Sequence, residues 1–227
     1  MKYYYNNVPG FGLCRNNLIY TSLVDDNKTT FVQWYYNDKE YHRNQNEVVD
    51  PALMQEKWER EVKYLLLMTE KFPQHVPEIL DIDYQNKKIY LSIQDVDFWE
   101  LAGTYQKNYD KVLPDWQEQM LEIFQAHRSL GLYKFSLHPS SYFIVNGKLK
   151  SINYFFTYHD SDHLISVSEV LSHISKQRRV ELFIHMEKLG IDINQPTPFK
   201  KLQELGFNSF SNNYPTEFIN KAKKIYE

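Results

Sequence analysis

Two histidines and two carboxylates stand within five consecutive residues, His159-Asp160-Ser161-Asp162-His163. Imidazoles and carboxylates are ligand types with which proteins bind zinc and other divalent ions. A loop this short rarely presents three ligands at the angles that a metal requires, so we interpret the cluster as a solvated polar loop and expect no metal. A metal site is the alternative interpretation, and its ligands would be His159, Asp160, Asp162 and His163.

A second group of reactive side chains lies in residues 133–141, where Ser136 and His138 are two positions apart. No third member within sequence reach completes a hydrolytic triad, so hydrolysis by an activated serine is not predicted. This loop leads into a tight hairpin that turns at Asn146-Gly147, because both residues tolerate positive φ and apolar or β-branched residues flank them. The hairpin ends at Asn153.

Residues 133–154 resemble the catalytic loop of the protein-kinase-like fold, a superfamily that includes small-molecule phosphotransferases. In that family a loop of the form His-x-Asp-Leu-(Lys or His)-Pro-x-Asn runs into a hairpin that ends in Ile-Asp-Phe. The frame is kept in Leu137-His138-Pro139, in Gly147 and in Ile152-Asn153-Tyr154. The resemblance implies an α+β, two-lobed fold, with a small β-rich N-lobe containing one long helix (residues 1–94) and a mainly helical, shortened C-lobe (residues 95–227).

The resemblance places neutral residues where the family has its catalytic groups. Ser136 stands at the position of the Asp that accepts the substrate proton, and Ser141 at that of the metal-binding Asn. Asn153 stands at the position of the metal-binding Asp. Hydroxyl and amide oxygens carry no charge, so these three positions predict weak binding of a divalent ion and no general base.

The family's charged pair of a strand lysine and a helix glutamate is also incomplete. The alignment places Gln33, or Trp34 if it is slipped by one residue, at the lysine position, and neither can replace a cation that faces phosphate. Glu61 matches the helix glutamate. Without the lysine we interpret Glu61 as a solvated residue at the edge of a buried helical stripe.

The nucleotide cleft of the family would be lined by two backbone segments. Gly10 and Gly12 match two of the three glycines of the phosphate loop, although a plain turn explains them as well. Gln94-Asp95-Val96 matches the hinge whose backbone receives adenine in active relatives, and Phe31 would fill the adenine side. These residues predict weak nucleotide binding at most.

The composition of the whole chain excludes several function classes. Its formal net charge of −3 argues against a nucleic-acid surface, which usually needs a basic patch. Cys14 is the single cysteine, so an internal disulfide is excluded and a reducing compartment is favoured. No apolar run has the length needed to span a bilayer, and the first residues lack a signal-peptide core. We therefore expect a soluble cytoplasmic protein without membrane contact.

Hydrophobic periodicity predicts the elements that position these residues. Strands are expected over residues 18–24, 29–35, 80–84 and 88–94. A helix starts at Asp50-Pro51, and its buried stripe is Met54, Trp58, Val62, Leu65 and Leu66. A further helix is expected from Trp116 to Gly131, which can terminate it, and another from residue 180 to 189. Three more helices are expected to start at the capping box of residue 166, at Thr197-Pro198 and at Pro215.

The sequence thus predicts a catalytically inactive kinase-like protein, a pseudokinase, with a binding or regulatory role, no cofactor and a protein partner. One alternative is an active phosphotransferase on a small or unusual substrate that uses ATP with Mg²⁺ or Mn²⁺. Its charges would come from elsewhere, namely from Lys134, Asp95, Asp97, Asp160 and Asp162. The other alternative is an inhibitory or scaffolding partner of another protein.

Overall fold

The computed structural model describes residues 20–23, 30–34, 51–93, 98–135, 137–162, 164–165, 183–184, 186–192, 194–198, 201 and 213–226, and for 20–23, 30–34, 51–54, 99–100 and 164 their backbone only. In chain order the helices and strands are β1 (Tyr20–Leu23), β2 (Thr30–Trp34), α1 (Pro51–Lys71), β3 (Ile79–Asp83), β4 (Lys88–Ser92), α2 (Phe98–Gly103), α3 (Tyr109–Val112), α4 (Trp116–Ser129), β5 (Leu132–Lys134), β6 (Tyr142–Val145), β7 (Lys148–Ser151), β8 (Thr157–His159), β9 (Leu164–Ile165), β10 (Thr197–Pro198) and α5 (Thr216–Tyr226). Antiparallel sheets together with helices confirm the α+β class.

The chain forms two compact units. One comprises Met1–Gln119 and Pro139–Phe155, and the other Met120–His138 and Phe156–Glu227. Helix α4 therefore begins in the first unit and continues into the second. The predicted lobe boundary between residues 94 and 95 lies outside the described residues and stays a prediction. No helix in the described ranges is both long and apolar enough to cross a membrane.

The first unit contains a four-stranded antiparallel sheet in the order β1-β2-β4-β3. All four strands fall where alternation predicted them. Ile89 and Leu91 of β4 are fully buried and its other residues are half-buried, as the two-residue period of a strand requires. The turn between β3 and β4 is closed by Asp83, which accepts hydrogen bonds from the Asn86 N–H at 2.9 Å and from Asn86 Nδ2 at 2.7 Å. These bonds, the side-chain bond first, lower the pKa of Asp83.

Helix α1 agrees with the predicted helix. Trp58, Val62, Leu65 and Met68 are buried at spacings of three and four residues, which is one helical face. The predicted stripe was wrong at Leu66, which is 41% exposed. Leu66 follows Leu65 directly and is therefore turned about 100° away from the buried face.

A hairpin built by β6 and β7 is the next element that positions the site. Its turn residues Asn146 and Gly147 have φ of 52° and 73°, so both are left-handed, as a type I′ turn requires. The predicted turn is confirmed. Gln119 of α4 holds the hairpin: its Oε1 accepts the Leu149 N–H at 2.8 Å, and its Nε2 donates to the Gly147 carbonyl at 3.3 Å.

The second unit is organised around a cluster of packed aromatic side chains. Strands β5 and β8 pair antiparallel, β9 pairs with β10, and α5 begins one residue after Pro215, as predicted. Most ring centroids of neighbouring aromatics lie 4.7–6.2 Å apart in tilted or edge-on arrangements, and the rings belong to Phe124, Tyr133, Phe135, Phe156, Tyr158, Tyr214, Phe218 and Tyr226. Gly131 has a φ of 68° after α4, and a Cβ there would lie 2.8 Å from His159 Nε2, so only glycine fits.

The remaining predicted helices are described only in part. Residues 183–184 and 186–188 are helical, and Gly190 follows with a φ of 63°, in agreement with a helix that ends there. Thr197 and Pro198 form strand β10 rather than a helix start, and Lys201 is helical. The capping box at residue 166 lies outside the described residues.

Candidate functional site

Asn153 follows strand β7 with a left-handed backbone, at a φ of 66°. Asparagine tolerates this conformation better than most residues. Its Nδ2 donates to the hydroxyl Oγ of Ser141 at 3.1 Å, and the Ile152 N–H donates to the Ser141 carbonyl at 2.9 Å. Both Asn153 and Ser141 are buried. The end of the loop and the end of the hairpin, two positions singled out from the sequence, are thus tied together.

The chemistry of this pair is that of two neutral polar groups. A hard divalent cation prefers carboxylate oxygens, and Asn153 and Ser141 offer one amide oxygen and one hydroxyl. The Ser141 hydroxyl already accepts a hydrogen bond from Asn153 Nδ2, so a metal would have to displace it. These residues do not fit a catalytic metal. Among the described residues, no group of three or more His, Cys, Asp or Glu side chains could hold a metal ion.

Glu61 is fully buried, and the interpretation that it is solvated was wrong. Its Oε2 accepts the backbone N–H of Phe155 at 2.6 Å. This N–H partly replaces the water that the Glu61 carboxyl group loses on burial. The partner lies 94 residues further along the chain, so no local pattern around α1 could reveal it.

Two more residues of α1 contact Phe155. Arg60 Nη1 donates to the Phe155 carbonyl at 3.2 Å, and Lys57 Nζ lies 6.0 Å from the centre of the Phe155 ring. Lys57, like Glu61, is fully buried. We call Lys57, Arg60 and Glu61 the residue-155 clamp, because together they hold the N–H, the carbonyl and the ring of Phe155. The sequence analysis missed Lys57. The available signal was its position one turn before Glu61, beside the buried stripe.

The other predicted site residues are placed only in part. Gln33 lies in β2, opposite Thr21 of β1 and Ile89 of β4, and Phe31 lies opposite Leu91. Trp34 is the last residue of β2. The remaining positions lie outside the described residues, and they are Gly10, Gly12, Gln94, Asp95, Val96, Asp97 and Ser136. The structure therefore brings Glu61, Ser141 and Asn153 into one unit and leaves the cleft residues as predictions.

The His159–Asp162 stretch is engaged in hydrogen bonds within the second unit. Both carboxylate oxygens of Asp160 accept from Arg128, at 2.8 and 2.9 Å. Asp162 Oδ2 accepts the His159 N–H at 2.8 Å, and His159 Nδ1 lies 2.8 Å from Ser161 Oγ. This geometry is that of a polar turn closed by its own side chains. His163 lies outside the described residues.

Lys134, considered above as a substitute charge, is fully buried in β5 opposite Thr157. Asp160, considered for the same purpose, forms the ion pair with Arg128.

Comparisons with known proteins show a structural likeness but no family. No protein-family model matches the chain, and no curated protein matches it. Among solved structures, the chain is similar to that described as the crystal structure of monomeric WbdD, at 12% sequence identity and a TM-score of 0.48. The likeness covers 97% of this chain and 48% of that one, so this chain spans about half the length of WbdD.

Proposed function

We propose that this chain is a kinase-like protein of two lobes that transfers no phosphate and acts by binding, that is, a pseudokinase. The order of its elements supports this assignment. An antiparallel sheet with one long helix comes first, and a loop that enters a tight hairpin follows. The hairpin at Asn146-Gly147 agrees with the frame of the family's catalytic loop.

The observation that carries the proposal is the buried hydrogen bond between Asn153 Nδ2 and Ser141 Oγ. Phosphoryl transfer depends on positioning and on neutralising the charge of the phosphates by metal ions and cations. The two positions that hold metal in active relatives here satisfy each other with neutral groups. A metal at this place would gain no charge interaction from them and would cost the bond between them.

The residue-155 clamp supports a role that does not depend on nucleotide. Phe155 follows Asn153 by two residues and is held by α1 at its N–H and its carbonyl. The protein's own contacts therefore order the segment next to Asn153, and no nucleotide is required for this. We propose that the ligand is another protein, and that the chain regulates it or holds it in place.

Nucleotide binding tests the proposal. We expect millimolar ATP with Mg²⁺ or Mn²⁺ to change the melting temperature of the protein by less than about 1 °C, because a ligand stabilises the native state only in proportion to its binding. Adenosine with the same metal is the control for adenine binding without the phosphates. A shift of several degrees that disappears when a chelator is added would contradict the proposal.

An assay of ATP turnover tests the pseudokinase proposal independently of nucleotide binding. We expect no release or transfer of phosphate from labelled ATP by the wild-type chain. Activity that Asn153→Ala or Ser141→Ala abolishes would establish the alternative, an active phosphotransferase that uses neutral residues. Isolation of a stable complex with another protein would support the binding role, and inhibition of a catalytically active partner in that complex would favour the inhibitory alternative.

A further inference from the structure

Helix α1 carries a lysine and a glutamate that are both fully buried, Lys57 and Glu61. Burying an ionised group is costly unless an opposite charge and hydrogen bonds compensate for the lost water. The two residues are four positions apart on one helix, so their Cβ atoms are about 6 Å from each other and their side chains can meet. Their burial on one face places two opposite charges in the same region, next to the half-buried Arg60.

The two charges also converge on one residue. Glu61 Oε2 accepts the Phe155 N–H at 2.6 Å, while Lys57 Nζ lies 6.0 Å from the centre of the Phe155 ring. A cation at this distance from a ring is attracted by the ring electrons, and more strongly in a dry environment. Arg60 holds the carbonyl of the same residue. Phe155 is itself buried, so water does not compete for these contacts.

We infer that Lys57 and Glu61 form a charge pair within helix α1, and that this internal pair keeps the carboxylate of Glu61 ionised and aimed at Phe155. Lys57 is then a positioning residue: it acts on residues 153–155 through Glu61. The inference rests on the proposed function in one respect, namely that the pair substitutes for a cation from strand β2. With the pair in place, residues 153–155 keep one conformation in the absence of any ligand.

A double-mutant cycle without nucleotide tests the pair. The variants are Lys57→Met, Glu61→Gln and both together, and melting temperature is measured by calorimetry. Each single change leaves one buried charge without its counterpart, so we expect each to lower the melting temperature by roughly 10 °C. The double variant removes both charges. We expect it to melt clearly above the temperature that the sum of the two single effects would give.

The same helix offers a matched control. Glu59 and Lys63 are also four positions apart, and both are exposed. Exposed pairs contribute little, so we expect Glu59→Gln, Lys63→Met and their combination to change the melting temperature by about 2 °C or less, additively. Additive effects of Lys57→Met and Glu61→Gln, like those of the control pair, would overturn the inference.

Hydrogen exchange of the Phe155 N–H distinguishes a local effect of Lys57 on residue 155 from an effect on the stability of the whole unit. We expect Lys57→Met to speed exchange of the Phe155 N–H at least ten-fold relative to that of Leu149, whose N–H is bound by Gln119 in the same unit and does not contact α1. Lys57→Arg keeps the charge, so it should restore most of the protection. Equal acceleration at both amides in Lys57→Met would contradict a positioning role.

The outcomes are distinct from those that test the proposed function. If Lys57→Met does not fold, the double variant decides: folded protein supports the pair, and unfolded protein overturns it. Turnover of ATP would end the pseudokinase proposal and leave the coupling between Lys57 and Glu61 unchanged. Additivity in the cycle would rule out the charge pair and leave the pseudokinase proposal unaffected.

Discussion

Asn153 combines a left-handed backbone with a buried side-chain bond, and the two features can be separated by mutation. Its amide group bonds Ser141, and its backbone joins strand β7 to the segment held by α1. Non-glycine residues other than Asn and Asp pay about 1 kcal/mol or more for a left-handed φ. The type of residue at this position therefore matters for stability as well as for the chemistry discussed above.

Stability measurements distinguish the two contributions. Asn153→Gly loses the bond to Ser141 and keeps the conformation, so we expect a cost of about 1–2 kcal/mol in the free energy of unfolding. Asn153→Ala adds the strain of a left-handed alanine and should cost about 1 kcal/mol more. Ser141→Ala removes the same bond without touching the backbone of residue 153 and serves as the control. Equal costs for the alanine and glycine variants in urea unfolding would contradict this account.

Returning one catalytic group should not restore phosphoryl transfer. In the proposed kinase-like frame, Asn153→Asp supplies one carboxylate, while Gln33 and Ser136 still leave the phosphates without a cation and the nucleophile without a base. Catalytic groups that act as a unit contribute little when their partners are absent. We expect no turnover of labelled ATP by this variant.

The full set of family residues should restore binding before activity. It consists of Gln33→Lys, Ser136→Asp, Ser141→Asn and Asn153→Asp. Since the residue-155 clamp still holds Phe155, we expect this variant to show a metal-dependent rise in melting temperature with ATP and little transfer of phosphate. Turnover by Asn153→Asp alone would show that the other three positions are not deficient.

At the scale of elements, the β6–β7 hairpin depends on the first turn of α4. Gln119 satisfies the Leu149 N–H and the Gly147 carbonyl with one side chain. Lys150 Nζ of β7 donates to the Gln74 carbonyl at 2.6 Å, and burial lowers the pKa of this lysine. The hairpin that carries Asn153 is thus fixed on both sides by side chains from other elements.

Removing this support should weaken the hairpin. Gln119→Ala leaves the buried Leu149 N–H without its acceptor, and we expect a cost of about 2 kcal/mol in the free energy of unfolding. Gln125→Ala on the same helix is the control, because Gln125 is exposed and should change stability by less than about 0.5 kcal/mol. Faster amide exchange at residues 147–149 should accompany the loss. An unchanged free energy of unfolding in Gln119→Ala would show that the hairpin is stable without this support.

At the scale of the whole molecule, stability should fall in alkaline solution. Tyr133 and Tyr226 are fully buried with ring centroids 4.7 Å apart. Burial raises the pKa of both phenols, and the neighbouring phenol raises that of Tyr133 further, while Arg128 opposes the shifts. Above the ordinary pKa of about 10, the unfolded chain loses protons that the folded chain retains, so the free energy of unfolding decreases as the pH rises.

The slope of the unfolding free energy against pH identifies the ionising groups that cause the loss of stability in alkaline solution. Each buried tyrosine contributes a decrease of about 1.4 kcal/mol per pH unit above pH 10, until the folded protein also ionises. Tyr226→Phe should therefore reduce the slope of unfolding free energy against pH by that amount. Tyr105→Phe, at an exposed position, should leave the slope unchanged. An unchanged slope in Tyr226→Phe would mean that other groups cause the alkaline loss.

The elements whose signals are local could be predicted from the amino-acid sequence. Asn146-Gly147 dictated the hairpin turn, because few residue pairs accept two consecutive left-handed conformations. Alternation and the 3.6-residue period located the four strands of the first sheet and helix α1. The sequence also shows directly that positions 141 and 153 carry uncharged residues. Such signals depend on a few neighbouring residues, so they do not require knowledge of the packing.

The burial and the partners of the charged side chains became known only from the tertiary structure. Glu61, expected in solvent, is covered by a backbone segment 94 residues away, and Lys57 is buried beside the same segment. Likewise, Asp160 binds Arg128 across 32 residues. Whether a charged side chain is solvated or buried depends on which distant segment packs over it, and the free energy of that packing is absent from local patterns. The sequence therefore predicted the scaffold around Asn153, and the folded chain revealed the clamp that holds it.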